Sequence, residues 1–296
     1  MFVQRSPSPA TGAMTVDVED YFQVQAFAAT IPRASWDAIP RRVEANTERI
    51  LARFAEAGVH ATFFTLGWIA ERHPALVRRI VAGGHELASH GYDHVRADCL
   101  DAASFRADVG RTRRLLEDIG GVPVKGYRAP TFSIGTRNMW AFAALEAEGY
   151  AYSSSVYPVR HDLYGMPEAP RVPFRPAGGG LWELPMTTLA VGAHHLPWAG
   201  GGYFRLLPYR LYRRGLSRML RRKEGPAIFY FHPWEIDPGQ PRVPGAALRS
   251  RIRHRLNLGA MERRVTRLLK DFAWDRMDRV FAAELGWVGQ GEGARG

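Results

Sequence analysis

The stretch AMTVDVEDYF, residues 13–22, decides how the chain is read. Its opening run, Ala13–Val18, is mostly apolar, carries β-branched residues and is too short for a helix. Such a run suits a strand buried on both faces of a parallel sheet. It delivers Asp17, Glu19 and Asp20 at its end, three carboxylates that repel one another unless a cation compensates them. One of them can ligate a metal while another serves as general base toward a bound water. In an extended chain Asp17 and Glu19 face one side and Asp20 the other; the plain alternative for Asp20 is a helix cap.

The same pattern recurs downstream. Strands are expected at Ala61–Leu66, His85–Ser89, Val124–Tyr127, Leu181–Leu184 and Ala227–Phe231. Helical spacing is expected over Val43–Ala57, Ile69–Ala82, Ala102–Ile119, Arg137–Glu148 and Pro208–Arg222. This alternation predicts an α/β fold, a parallel sheet with covering helices. The Pro- and Gly-rich residues 157–180 are expected to form a long surface loop. Four strands end in ionisable groups: Asp17, Glu19 and Asp20; His90 and His94; Arg128; and His232 with Glu235. In α/β barrels the C-terminal edge of the strands is where active sites are built.

His90 and His94 have a spacing that places two imidazoles together in a tight turn. With a carboxylate from the first strand they make a two-His, one-carboxylate site with positions open for water and substrate. Arg128 is a candidate to orient a catalytic carboxylate, with a surface ion pair as the alternative. His232, between an apolar strand and Pro233, is a candidate acid for a leaving amine, with a satisfied core histidine as the alternative. Tyr21, Tyr92, Phe132, Trp182 and Trp234 lie near these strand ends, where rings stack on sugars, although most aromatics are core.

Composition bounds these readings. The chain has 296 residues and one cysteine, Cys99, so neither a disulfide framework nor a cysteine zinc site is available. The first residues lack the apolar core of a signal peptide and no apolar run is long enough to span a bilayer, so a cytoplasmic location is expected. The net charge is +11; residues 205–223 hold eight basic and no acidic residues, and residues 249–279 hold ten basic against four acidic. Solvated helix faces are the plain explanation; an anionic polymer or a membrane surface is the alternative. No nucleic-acid docking motif accompanies the charge.

Taken together and in this order, TVDVEDYF, SHGYDH, YRAPTFSI and FYFHPWEI resemble the polysaccharide deacetylase family with the NodB homology domain. VDVEDYFQVQAF, YSSSVYPVRHDLYGMPEAPR and the arginine-rich C-terminal segment resemble the branch associated with exosortase (PEP-CTERM) exopolysaccharide loci. The resemblance implies a distorted parallel (β/α) barrel over residues 13–238, with a basic helical extension over 239–285 packed on it. Residues 1–12 and 286–296 are expected to be disordered.

It also implies a divalent metal, most often Zn2+, held by His90, His94 and one carboxylate. Asp17 would be the base, tuned by Arg128, and His232 the acid toward the sugar amine. A backbone N–H near Thr131 would help polarise the acetyl carbonyl. The substrate would be an acetylated polysaccharide or oligosaccharide. The alternatives are an allantoinase-like amidohydrolase and a catalytically silent sugar-binding protein. Oligomeric state is not legible. The chain departs from the family pattern in three places: Val18-Glu19-Asp20 leaves the ligand open between Glu19 and Asp20, Thr131 stands where tyrosine is common, and Ser153 where an aspartate often pairs with the arginine.

Overall fold

Strand β1 (Gly12–Val18) is buried along its whole length, as a central strand of a parallel sheet must be. The computed structural model describes residues 12–161, 163–176, 179–192, 194–222 and 225–287. On one side β1 pairs with β2 (Thr62–Thr65), followed by β3 (Glu86–Ser89), β4 (Gly126–Tyr127), β5 (Tyr152–Ser153) and β6 (Trp182–Glu183). On its other side it pairs with β9 (Ala227–Phe231), from Gly12 opposite Ala227 to Val16 opposite Phe231. All these pairings are parallel, which gives the curled α/β barrel sheet the sequence predicts. Beyond β9 a single bridge joins Tyr230 to Gly200, and a Cβ at Gly200 would run into the Tyr230 carbonyl. The antiparallel pair β7 (Thr188–Val191) and β8 (His194–Pro197), which the sequence reading omits, lies apart from this sheet.

Helix α1 (Val43–Ala57) stops at Gly58, which takes the left-handed conformation at φ 64° that a helix end favours. The helix expected over Ile69–Ala82 is two, α2 (Gly67–Arg72) and α3 (Pro74–Ala82), because Pro74 starts a helix well and cannot continue one. Helix α4 (Ala102–Gly120) is capped by Asp101, which accepts the Ser104 N–H at 2.7 Å. The helix expected over Arg137–Glu148 begins late, at α5 (Trp140–Ala147), after a 3-10 turn over Thr136–Asn138. Between β8 and β9 lie α6 (Gly201–Leu206) and α7 (Tyr209–Arg221).

After β9 come α8 (Leu248–Arg255), α9 (Leu258–Asp271), β10 (Trp274–Asp275) and α10 (Met277–Val280). Glu262 of α9 accepts Arg53 of α1 at 3.0 Å, and β10 pairs with Gly12 and Ala13 of β1. This C-terminal part thus adds a strand to the sheet as well as packing on it. Of the termini expected to be disordered, residues 1–11 and 288–296 lie outside the described residues. Gly12 opens β1, and Trp287 packs against the core with Lys125 Nζ 4.2 Å from its ring centroid. No helix among the described residues is long and apolar enough to cross a membrane.

Candidate metal and catalytic centre

The parallel register brings the ends of β1, β3, β4 and β9 to one edge. Arg128, immediately after β4, is fully buried and its Nη1 donates to Asp17 Oδ1 at 2.6 Å and Thr15 Oγ1 at 2.8 Å. Nε and Nη2 donate to Ser154 O and Oγ, each at 3.2 Å, and the guanidinium carbon sits 4.0 Å from the Phe64 ring centroid. A buried ion pair is tolerable only when its polar atoms are satisfied in this way. Ser153 carries no charge to Arg128. Instead Glu183 of β6 accepts the N–H groups of Ser155 and Val156 at 2.8 Å each, which fixes the turn that offers Ser154. Burial pushes the Glu183 carboxyl up to about 7.

Glu19, His90 and His94 offer one ligand atom each, all within 4.8 Å of one another. His90 Nδ1 lies 2.8 Å from the Arg128 carbonyl oxygen, so it is the protonated nitrogen and Nε2 is left for a ligand. Burial pushes the His90 imidazole down to about 4, the neutral form a metal needs. His94 adopts φ 57° and brings its ring to a centroid distance of 5.4 Å from that of His90. Glu19 Oε1 accepts the Trp234 indole N–H at 3.1 Å, while Oε2 is buried without a hydrogen bond, 2.9 Å from His94 Nε2. Burial would raise the Glu19 carboxyl, but the His94 and His232 imidazoles override it and hold it well below the usual range. An ionised carboxylate with one unsatisfied buried oxygen beside two imidazoles fits a divalent cation.

Asp20 goes elsewhere. Its Oδ2 accepts the N–H groups of Arg42 and Val43, the latter at 2.9 Å, and its Oδ1 accepts Tyr21 N–H at 2.9 Å. It caps the start of α1, as the plain reading allowed, and of the two carboxylate candidates only Glu19 faces the histidines. The strand ends at Val18, and the Glu19 N–H turns back onto the Asp17 carbonyl at 3.0 Å, so a tight turn rather than strand alternation sets where Glu19 goes.

His232, next after β9, turns Nε2 toward Glu19 Oε1 at 3.4 Å and Asp17 Oδ2 at 4.0 Å. Its Nδ1 is 2.7 Å from Glu235 Oε1, and Glu235 Oε2 accepts Arg205 Nε at 2.6 Å. Burial alone would lower the imidazole, but Glu19, Glu235 and Asp17 raise it to about 9. Its ring stacks on Trp234, centroids 5.1 Å apart, and Trp234 stacks on His254 of α8 at 4.2 Å. Sequence reasoning assigned no role to Glu235 or Arg205. The three-residue spacing from His232 to Glu235 across the 3-10 turn Pro233–Ile236 is a usable signal for the first. Arg205 is far off in sequence and carries none.

The expected sugar-stacking rings are mostly walls. Tyr21, Tyr92, Phe132 and Trp234 are buried, which leaves them no broad open face. Tyr92 gives its hydroxyl to Glu71, and Arg111 lies over its ring. Trp182 is half-buried with Arg175 over it. Phe132 packs edge-on against Tyr230, and Tyr230 against His232. Thr131 and Phe132 both take left-handed backbone, φ 56° and 50°, which costs a non-glycine residue about 1–3 kcal/mol. Such strain beside a candidate centre is the kind a site stores.

Comparison with known proteins bears on this geometry. Residues 34–151 match the family model described as polysaccharide deacetylase, and residues 154–282 match a domain of unknown function, DUF3473. The chain therefore carries both domains. His90, His94 and Arg128 lie in the first match and Arg205, His232 and Glu235 in the second. A peptidoglycan-N-acetylglucosamine deacetylase of Bacillus cereus is 33% identical over 84 residues, 28% of this chain and 30% of that protein. The chain spans a third or less of the length of the first three curated relatives it matches, 30%, 33% and 15%. Among solved structures, a protein from Mycobacterium smegmatis titled as a polysaccharide deacetylase aligns with TM-score 0.60 and 20% identity, over 95% of this chain and 92% of that one. Puue allantoinase aligns with TM-score 0.56 and 18% identity, over 94% and 92%. These likenesses establish the fold.

Proposed function

We propose that the protein is a metal-dependent hydrolase that removes N-acetyl groups from an exopolysaccharide or its precursor, in the branch associated with exosortase loci. One observation carries this reading: the unsatisfied buried oxygen of Glu19 beside two imidazoles, next to the Asp17–Arg128 pair. A divalent ion, zinc first, held by Glu19, His90 and His94 would supply Lewis acidity toward the acetyl carbonyl and toward water.

Asp17 is the base. Arg128 fixes its Oδ1, and Oδ2 remains to take the proton of the attacking water. The water oxygen joins the acetyl carbon, the carbon–nitrogen bond breaks, and acetate and a free amine result. Burial opposes a charged His232, but the carboxylates around it favour the protonated form, which gives its Nε2 proton to the departing nitrogen. Glu235 holds its other nitrogen, so the ring cannot turn away. The backbone N–H at Thr131 is the donor offered to the developing oxyanion.

Acetate release from N-acetylated oligosaccharides tests the proposal, using native, metal-stripped and Asp17→Asn proteins. Release that requires both metal and Asp17 supports it. Release that survives stripping and the substitution overturns it.

A further inference from the structure

We propose that the arginine face of α7, with the adjoining face of α9, docks the protein on an anionic phospholipid surface. The exposed arc of α7 carries Arg210, Leu211, Arg213, Arg214, Arg218 and Arg221 and no acidic residue. Its opposite arc, with Tyr212, Leu216 and Met219, is buried. Arg210, Arg213, Arg214 and Arg267 of α9 together line a surface cleft of about 220 Å3. Asp271 is the acid beside it, 3.7 Å from Arg213 and 3.8 Å from Arg267, and it also accepts the Tyr209 hydroxyl at 2.7 Å. Arg213 and Arg267 keep side-chain exposures of 50% and 56%. Like charges gathered this way repel, and a helix face made only for solvent mixes its signs. The patch is complementary to an anionic surface.

Aliphatic side chains choose among such surfaces. Leu211 on the arginine arc of α7 and Leu206 at the end of α6, just before it, stand 48% and 57% exposed. On α8, Leu248 and Ile252 are 66% and 59% exposed, among exposed Arg249, Arg251 and Arg253. The α6–α7 junction abuts the α8–α9 junction: Arg205 Nη1 donates to the carbonyls of His254 and Leu256 at 2.9 and 2.7 Å, and Asn257 Nδ2 donates to the Arg205 carbonyl at 2.7 Å. A hydrated polyanion gives leucine and isoleucine nothing to enter. The boundary between headgroups and acyl chains takes both the guanidinium and the aliphatic side chain. The face uses neither Glu19, His90 and His94 nor Asp17, and it stands apart from the chemistry proposed for them.

Co-sedimentation of the full chain with vesicles tests this, using phosphatidylcholine alone and a roughly 3:1 mixture with phosphatidylglycerol. Binding is expected to the mixture only, and to weaken as salt rises. The combined Arg210→Gln, Arg213→Gln, Arg214→Gln and Arg267→Gln variant, with its melting temperature checked, should bind about 100-fold more weakly. The Leu206→Ser, Leu211→Ser variant should lose about tenfold on vesicles and nothing on soluble dextran sulfate. Parental vesicle binding by the arginine variant overturns the proposal, as does failure to bind the mixture. Dextran sulfate held as tightly as vesicles, with the leucine variant unaffected on both, assigns the face to a soluble polyanion instead.

Discussion

The two sides of the centre, for which base and acid roles are proposed, each rest on a buried arginine–carboxylate pair, but the two pairs are anchored differently. Arg128, just after β4, bonds Asp17 and Thr15 of β1 and Ser154 just after β5, so its partners are all set by strands of the one sheet. Arg205 bonds Glu235 and otherwise the carbonyls of Arg253, His254 and Leu256 at the end of α8. The geometry of the base is therefore set by strand register. That of the acid depends on Arg205 of α6 docking against the end of α8, beyond β9, so it is the side open to adjustment without disturbing the base.

The largest expected effect lies on the base side. Asp17→Asn should lower acetate release by about 10²–10⁴-fold, with metal content per chain unchanged, because it removes the proton acceptor and no ligand. On the acid side, Arg205→Met strands the Glu235 charge in the interior, and denaturant melts should show a loss of about 3–5 kcal/mol. A smaller change, Glu235→Gln, keeps the shape but weakens the hold on His232. Turnover of an amide should fall about 10–100-fold, while an acetyl ester of a nitrophenol, whose leaving group needs no proton, should be much less affected. Equal losses on both substrates would mean that Glu235 does not act through the acid.

Acid titration sharpens the contrast further. His254 is buried against Trp234, and burial, with Arg205 nearby, lowers it to about 3 from the usual 6.5. The unfolded chain takes up its proton below about 6.5 and the folded chain does not, so the stability this residue confers is complete above that pH and is lost on acidification. Between pH 7 and 5 it should account for a loss of roughly 2 kcal/mol, which His254→Gln should remove from thermal melts. Asp20→Asn should cost about 0.5–2 kcal/mol as a weakened cap and leave the chemistry intact.

Much of this centre was legible in the sequence because apolar runs ending in polar residues mark the edge of a parallel sheet. Asp17, His90, His94, Arg128 and His232 all stand at such ends, and the structure brings them together. Glu19 and Asp20 could not be told apart, since they lie past the strand, where alternation no longer governs direction; the amides of Arg42 and Val43 draw Asp20 away. Arg205 was hidden because its partner is 30 residues on and is reached only through tertiary packing. The strand Trp274–Asp275 was missed because two residues carry no periodicity. Pro74 was a visible break that the apolar pattern of Leu76, Val77 and Ile80 outweighed.

The central claim is that Glu19, not Asp20, completes the ligand set with His90 and His94. Metal content after stripping and reloading with zinc, compared between Glu19→Gln and Asp20→Asn, tests it most directly. The account predicts that Glu19→Gln loses the ion and Asp20→Asn retains one per chain. Retention by Glu19→Gln with loss by Asp20→Asn would contradict it.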